Sequence, residues 1–253
     1  MSEIQKLTSP EGRELAYAKT EGEGPTVVFL SGYKSDMEGT KAVHLEAWAK
    51  AQGRAFLRLD YSGHGQSGGV FEEGAIGDWA ADAEAVIRAA APGKVLLVGS
   101  SMGGWIATLL AKRLGEAVAG FVGIAAAPDF TEEGFWAGFS EAERQTIMED
   151  GQIELPSDYG DPYIVTRRLI EDGRANLVMR SPLVMPYPVR LLQGTEDEAV
   201  TRATALGLLD HISGDDVRLS LVRGADHRFS DPACLRMIEV AIEDVLAGGA
   251  AAG

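Results

Sequence analysis

The chain has 253 residues, 45% hydrophobic, 24% charged and 7% aromatic, which describes an ordinary globular protein and excludes a fibrous or disordered one. Its 23 Lys and Arg against 38 Asp and Glu leave a net charge of −15, which repels phosphate backbones and anionic lipid and argues against nucleic acid as a partner. A single cysteine, Cys234, cannot form an internal disulfide or a Cys/His metal cluster, and no apolar run approaches the ~20 residues that span a bilayer.

The start, Met1-Ser2-Glu3-Ile4-Gln5-Lys6, carries no apolar signal core and no Arg- and Ser-rich presequence, so a cytoplasmic location is expected. Residues 4–7 and 13–19 flank Ser9-Pro10-Glu11-Gly12 and read as a hairpin at a sheet edge. From Thr26 onward, short β-branched or leucine-rich runs at 26–31, 54–60, 94–100, 118–126, 189–194 and 216–222 alternate with helical periods at about 39–51, 77–91, 102–115, 200–213 and 232–246. That alternation predicts an α/β fold, a mostly parallel twisted sheet with helices on both faces. Between Ala126 and Val189 the rhythm breaks for about sixty residues, against an ordinary connection of about two to six. An insertion, a small helical cap at about 128–188 within a single domain, is therefore expected. It has helical stretches near 131–150 and 162–179, separated by Leu155-Pro156-Ser157-Asp158-Tyr159-Gly160. Its Phe130, Phe135, Trp136, Phe139, Met148, Tyr159 and Tyr163 should mainly cover a core and in part roof a pocket. Cys234 falls in an apolar-periodic stretch and reads as a packing thiol, and the Gly/Ala tail from Gly248 should fray.

The strongest chemical signal is Gly99-Ser100-Ser101-Met102-Gly103-Gly104, directly after one predicted strand and before a helix. A G-x-S-x-G turn this tight strains its central residue and exposes the Ser101 hydroxyl. The N–H of Met102 then points into the same space from a helix N-terminus, ready for a developing oxyanion. A serine needs a histidine base and an orienting carboxylate. Glu196, Asp197 and Glu198 follow the 189–194 strand, and Asp197 suits an inward-facing turn position; His227 follows the 216–222 strand. All these loops leave the carboxyl edge of a parallel sheet, where ligands bind. The order Ser, Asp, His is that of α/β-hydrolases. Asp226 reads as a turn cap. Gly32-Tyr33 after the first parallel strand supplies a second oxyanion donor, the Tyr33 N–H, with Gly32 letting the chain turn. Gly63-His64-Gly65-Gln66-Ser67-Gly68 spells a dinucleotide-binding turn, but no helix opens directly after it, so a structural turn is expected. No phosphate loop and no zinc helix motif occurs in the chain, and neither cofactor nor metal is expected.

From about residue 13 to 246 the chain resembles the α/β-hydrolase superfamily, and Asp60-Tyr61-Ser62-Gly63-His64-Gly65-Gln66-Ser67 looks like its D-x-x-G-x-G-x-S turn. The runs 32–42 and 98–105 and Asp226-His227-Arg228 are similar to a mitochondrial depalmitoylase family that also cleaves acyl glucuronides. Lacking a mitochondrial presequence, the chain looks like a bacterial relative, and it carries Thr201 where many of the superfamily have proline. The resemblance implies a serine hydrolase with Ser101, Asp197 and His227 as triad and Tyr33 and Met102 at the oxyanion. Substrates would be small-molecule esters or acylated proteins, and Lys34 and Arg228 could meet an anionic leaving group such as a glucuronide. Carbon–carbon bond hydrolysis, perhydrolysis and a silent ligand-binding role are the alternatives on the same scaffold.

Overall fold

The computed structural model describes residues 2–155 and 162–251. The chain opens with the antiparallel hairpin β1 (Ile4–Thr8) and β2 (Glu14–Thr20). There follow β3 (Glu23–Leu30), α1 (Thr40–Ala51), β4 (Arg54–Leu59), α2 (Ile76–Ala90), β5 (Val95–Ser100), α3 (Met102–Leu114) and β6 (Val118–Ile124). The insertion contains a π-helical turn (Thr131–Trp136), α4 (Glu141–Glu149), β7 (Gln152–Leu155), β8 (Tyr163–Thr166), α5 (Arg167–Ala175) and β9 (Leu183–Val184). Then come β10 (Val189–Gly194), α6 (Arg202–His211), β11 (Ile212–Ser213), β12 (Val217–Val222) and α7 (Pro232–Ala251).

The main sheet has eight strands in the order β1-β2-β4-β3-β5-β6-β10-β12. β2 runs antiparallel to both neighbours, and the strands from β4 to β12 pair in parallel. Successive side chains of a strand point to opposite faces, so a strand covered on both must be apolar throughout. In β3, Val27 and Phe29 pack with Leu45 of α1 and Ile238 of α7, while Val28 and Leu30 pack with Trp79 of α2 and Ile106 of α3. Two helical layers thus enclose the sheet, as the alternation of periods predicts.

The insertion is tied to this body by polar contacts at defined points. Ala75 offers α2 no side-chain cap, and Asp172 of α5 fills the gap, its Oδ1 accepting the Gly77 N–H at 2.7 Å. Arg168 pairs with Asp78 at 2.8 Å, and the Trp105 indole donates to Asn176 O at 3.1 Å. At the insertion's root Asp129, buried and left-handed (φ 57°), accepts the N–H groups of Val178 and Met179 at 2.8 and 3.0 Å.

Three expectations need correction. The helix expected over 162–179 begins as strand β8, which pairs with β7, and only Arg167–Ala175 is α-helical. The helix expected over 200–213 stops at His211, because Ile212–Ser213 pair with Leu183–Val184. The helix expected over 232–246 extends through Gly248 to Ala251. Most of the expected separator, including Tyr159, lies outside the described residues. Among the described residues no helix is long and apolar enough to cross a membrane.

Replacing Asp129 by Ala strips two buried N–H groups of their acceptor, so unfolding in urea should lose about 3 kcal/mol. Asp129→Asn keeps one acceptor and tolerates the left-handed backbone, and should lose distinctly less.

Candidate active site

The turn between β5 and α3 places Ser101 at φ 54°, ψ −118°, a conformation that a side chain adopts only where the surroundings enforce it. They do so by crowding. A methyl group on Gly99 would overlap the Gly103 carbonyl, and one on Gly103 would overlap the Leu30 carbonyl of β3. The Ser101 N–H is held by Ile124 O at 2.9 Å, and its carbonyl accepts the N–H groups of Gly104 and Ala127 at 2.8 and 3.1 Å. The backbone is therefore anchored on both sides. Met102 opens α3, and its N–H has no partner within the helix.

At the end of β10, Asp197 is shut from solvent while Glu196 and Glu198 are exposed, which settles which carboxylate turns inward. Its Oδ1 accepts the N–H groups of Ala199 and Val200 at 3.0 and 2.8 Å, and its Oδ2 accepts the Gln193 amide at 2.9 Å. His227 Nδ1 lies 3.0 and 2.9 Å from the two carboxylate oxygens. Burial alone would raise the Asp197 carboxyl, but the bonds from His227, Val200 and Gln193 outweigh it and hold the group below the usual carboxylate range. An ionised carboxylate only accepts, so Nδ1 must carry the proton and Nε2 is left as the basic nitrogen. Asp226 caps a turn, its Oδ1 accepting the Phe229 N–H at 3.1 Å.

Ser101 and His227 line one cavity of about 490 Å³, together with Gly32, Tyr33, Lys34, Lys41, Tyr163 and Arg228. Among the described residues no hydrogen bond joins the Ser101 hydroxyl to His227; such bonds are often long before substrate binds. In the loop after β3 the left-handed residue is Lys34 (φ 54°) and not Gly32. Gly32 instead provides close approach, since a methyl there would sit 3.4 Å from Ser101 Cβ. The Lys34 ammonium donates to Pro162 O at 3.2 Å and lies 5.7 and 5.6 Å from the ring centres of Phe71 and Tyr163. Among the described residues no group of three or more His, Cys, Asp or Glu side chains is arranged to hold a metal ion.

A family model described as serine aminopeptidase, S33, matches residues 24–168. Palmitoyl-protein thioesterase ABHD10, mitochondrial, from Rattus norvegicus is 35% identical over 95% of this chain and 81% of its own length. The chain belongs to this family of α/β-hydrolases. A solved structure from Agrobacterium vitis S4 superposes on it with a TM-score of 0.93 at 41% identity, covering 96% of this chain and 98% of the other. Alpha/beta hydrolase domain-containing protein 10 from mouse superposes with a TM-score of 0.90 at 32% identity, covering 97% and 99%. The resemblance read from the motifs is thus confirmed, and the chain is a hydrolase.

Within this hydrolase, motif reading missed two residues and left a third unplaced. Lys41, in the first turn of α1, lines the cavity and donates to Arg228 O; burial pushes its amine down to about 8. Gln193 is buried and supports Asp197, also donating to Val200 O at 2.9 Å, while its own Oε1 has no partner among the described residues. Lys41 lies within the run 32–42 that carries the resemblance, but neither a helix turn nor a strand position gives a hint of such duty. His64 is buried among Tyr61, Phe71 and Trp79, with Nδ1 3.1 Å from Ser62 O and Nε2 without a partner among the described residues; burial pushes it down to about 4, so it is neutral. Cys234 is a buried packing thiol, pushed up to about 12 chiefly by burial.

A carboxyl held low in the folded state contributes stability above its unfolded pKa of about 3.9 and loses it as pH falls through the folded value. The stability difference between wild type and Asp197→Asn, read from urea unfolding, should therefore shrink as pH drops from about 6 to about 3.

Proposed function

We propose that this chain hydrolyses carboxylic esters or thioesters through an acyl-enzyme. The observation that carries the reading is the strained Ser101, opening into the same cavity as a histidine whose Nδ1 is held by a buried carboxylate. In the reaction, His227 Nε2 takes the Ser101 proton as the oxygen attacks the acyl carbon. The oxyanion is bound by the Tyr33 and Met102 N–H groups. Collapse expels the alcohol or thiol, which takes the proton from His227. A water molecule, deprotonated by the same nitrogen, then attacks the acyl-enzyme, and collapse releases the acid as His227 returns the proton to Ser101 Oγ. Asp197 stays ionised throughout and stabilises the imidazolium. The thioesterase named among the relatives supports ester and thioester chemistry over carbon–carbon cleavage.

The insertion contributes Tyr163 to the cavity wall, and its Phe130 and Phe135 back the lining residue Tyr33, which supports an apolar acyl group. Against a chain of net charge −15, Lys34, Lys41 and Arg228 make this cavity wall cationic, opposed there by Asp36. Such a local field concentrates anions that the rest of the surface repels. The preferred substrate is therefore an apolar acyl group joined to an anionic leaving group.

Ser101→Ala should lower turnover of p-nitrophenyl esters by about 10⁶-fold, to background, with an unchanged melting profile, and wild type should be labelled at Ser101 by a fluorophosphonate. Substantial residual activity refutes Ser101 as the nucleophile, and a wild type that neither turns over ester nor is labelled favours a silent binding protein. Arg228→Ala should cost about tenfold more in kcat/KM for an anionic ester than for a neutral one, the value of roughly one charge-assisted hydrogen bond. Equal losses would remove the anion from the proposal.

A further inference from the structure

Oxyanion donors are useful only if held within a few tenths of an ångström of the developing charge. The Met102 N–H meets this requirement because it opens a helix. The Tyr33 N–H does not have that support, since it stands in an irregular loop beside the left-handed Lys34. The side chains of the same two residues end on one short segment, strand β8 and the residue before it. The Tyr33 hydroxyl donates to Ile164 O at 3.1 Å, and Lys34 Nζ donates to Pro162 O at 3.2 Å. Ile164 lies in β8 and Pro162 directly precedes it, both within the insertion.

The Tyr33 ring is wedged between the two parts of the molecule. It meets Phe71 and Trp79 of the body edge-on at 4.9 and 6.0 Å, and Phe130 and Phe135 of the insertion at 5.7 and 6.0 Å. In this packing a phenol needs an acceptor, and Ile164 O supplies it. Burial also pushes the phenol well above its ordinary range, so it remains a neutral donor.

We propose that the Tyr33 hydroxyl is a positioning group, which fixes the oxyanion loop to strand β8 so that the insertion sets where the Tyr33 N–H points. This rests on the hydrolase reading above and deepens it. The insertion then acts on the rate of bond breaking and not only on which substrates enter. A contact between substrate and insertion that shifted β8 would be transmitted to the oxyanion site through one hydrogen bond.

Tyr33→Phe removes the hydroxyl while keeping the ring and the backbone donor. With p-nitrophenyl acetate, kcat should fall about tenfold to a hundredfold, the usual cost of a misplaced group, with KM changed less than about twofold. The acid limb of the kcat/KM profile should stay in place, because the His227–Asp197 pair is untouched, and the melting temperature should move by less than about 2 °C. A merely structural tyrosine would instead lower melting temperature and activity together. Wild-type turnover with kcat unchanged in Tyr33→Phe overturns the coupling alone. A wild-type protein that neither turns over the ester nor is labelled at Ser101 overturns the hydrolase reading, and the coupling with it.

Discussion

Ser101 can hold its left-handed backbone because nothing larger than hydrogen stands at Gly99 and Gly103. Such a conformation costs on the order of 1–3 kcal/mol and persists only when its surroundings over-determine it. Here they are the ends of three adjacent strands. β3 closes against Gly103 through the Leu30 carbonyl, β6 takes the Ser101 N–H on Ile124 O, and β5 delivers the chain into the turn. The two helical layers that clamp those strands thereby stabilise a local geometry that a free peptide would not keep.

Charge is distributed on the same principle of enclosure. Asp197 gives up contact with water and receives three protein donors besides the histidine, so its negative charge is fixed in place without reorganisation. Lys34, Lys41 and Arg228, gathered at one cavity of a strongly acidic chain, are likewise a local exception to the global balance.

The central sheet was legible because its strands are buried on both faces, which forces continuous apolar runs such as Val95-Leu96-Leu97-Val98. The insertion was legible as an interruption but not in its contents. Strands β7 and β8 have four residues each and sit amid helical patterns, where so short an alternation gives no separate signal. The two-residue pairing of β9 with β11 leaves no pattern at all. Lys41 and Gln193 gave no signal for a different reason: Lys41 reaches Arg228, far away in sequence, and Gln193 meets Asp197 and Val200 only because the chain after β10 folds back on it.

Order along the chain singled out Ser101 and His227 as candidates and narrowed the acid to three consecutive residues with Asp197 favoured, because each must follow a strand at the carboxyl edge and few polar residues do. It also determined that an insertion interrupts the sheet. Only the tertiary structure decided which of three consecutive acidic residues faces His227, that the left-handed residue beside Tyr33 is Lys34, and that the Tyr33 phenol ends on Ile164 O. These choices depend on which side chains are shut from water and which carbonyls lie within about 3 Å, and both are properties of packing in space that local sequence does not encode.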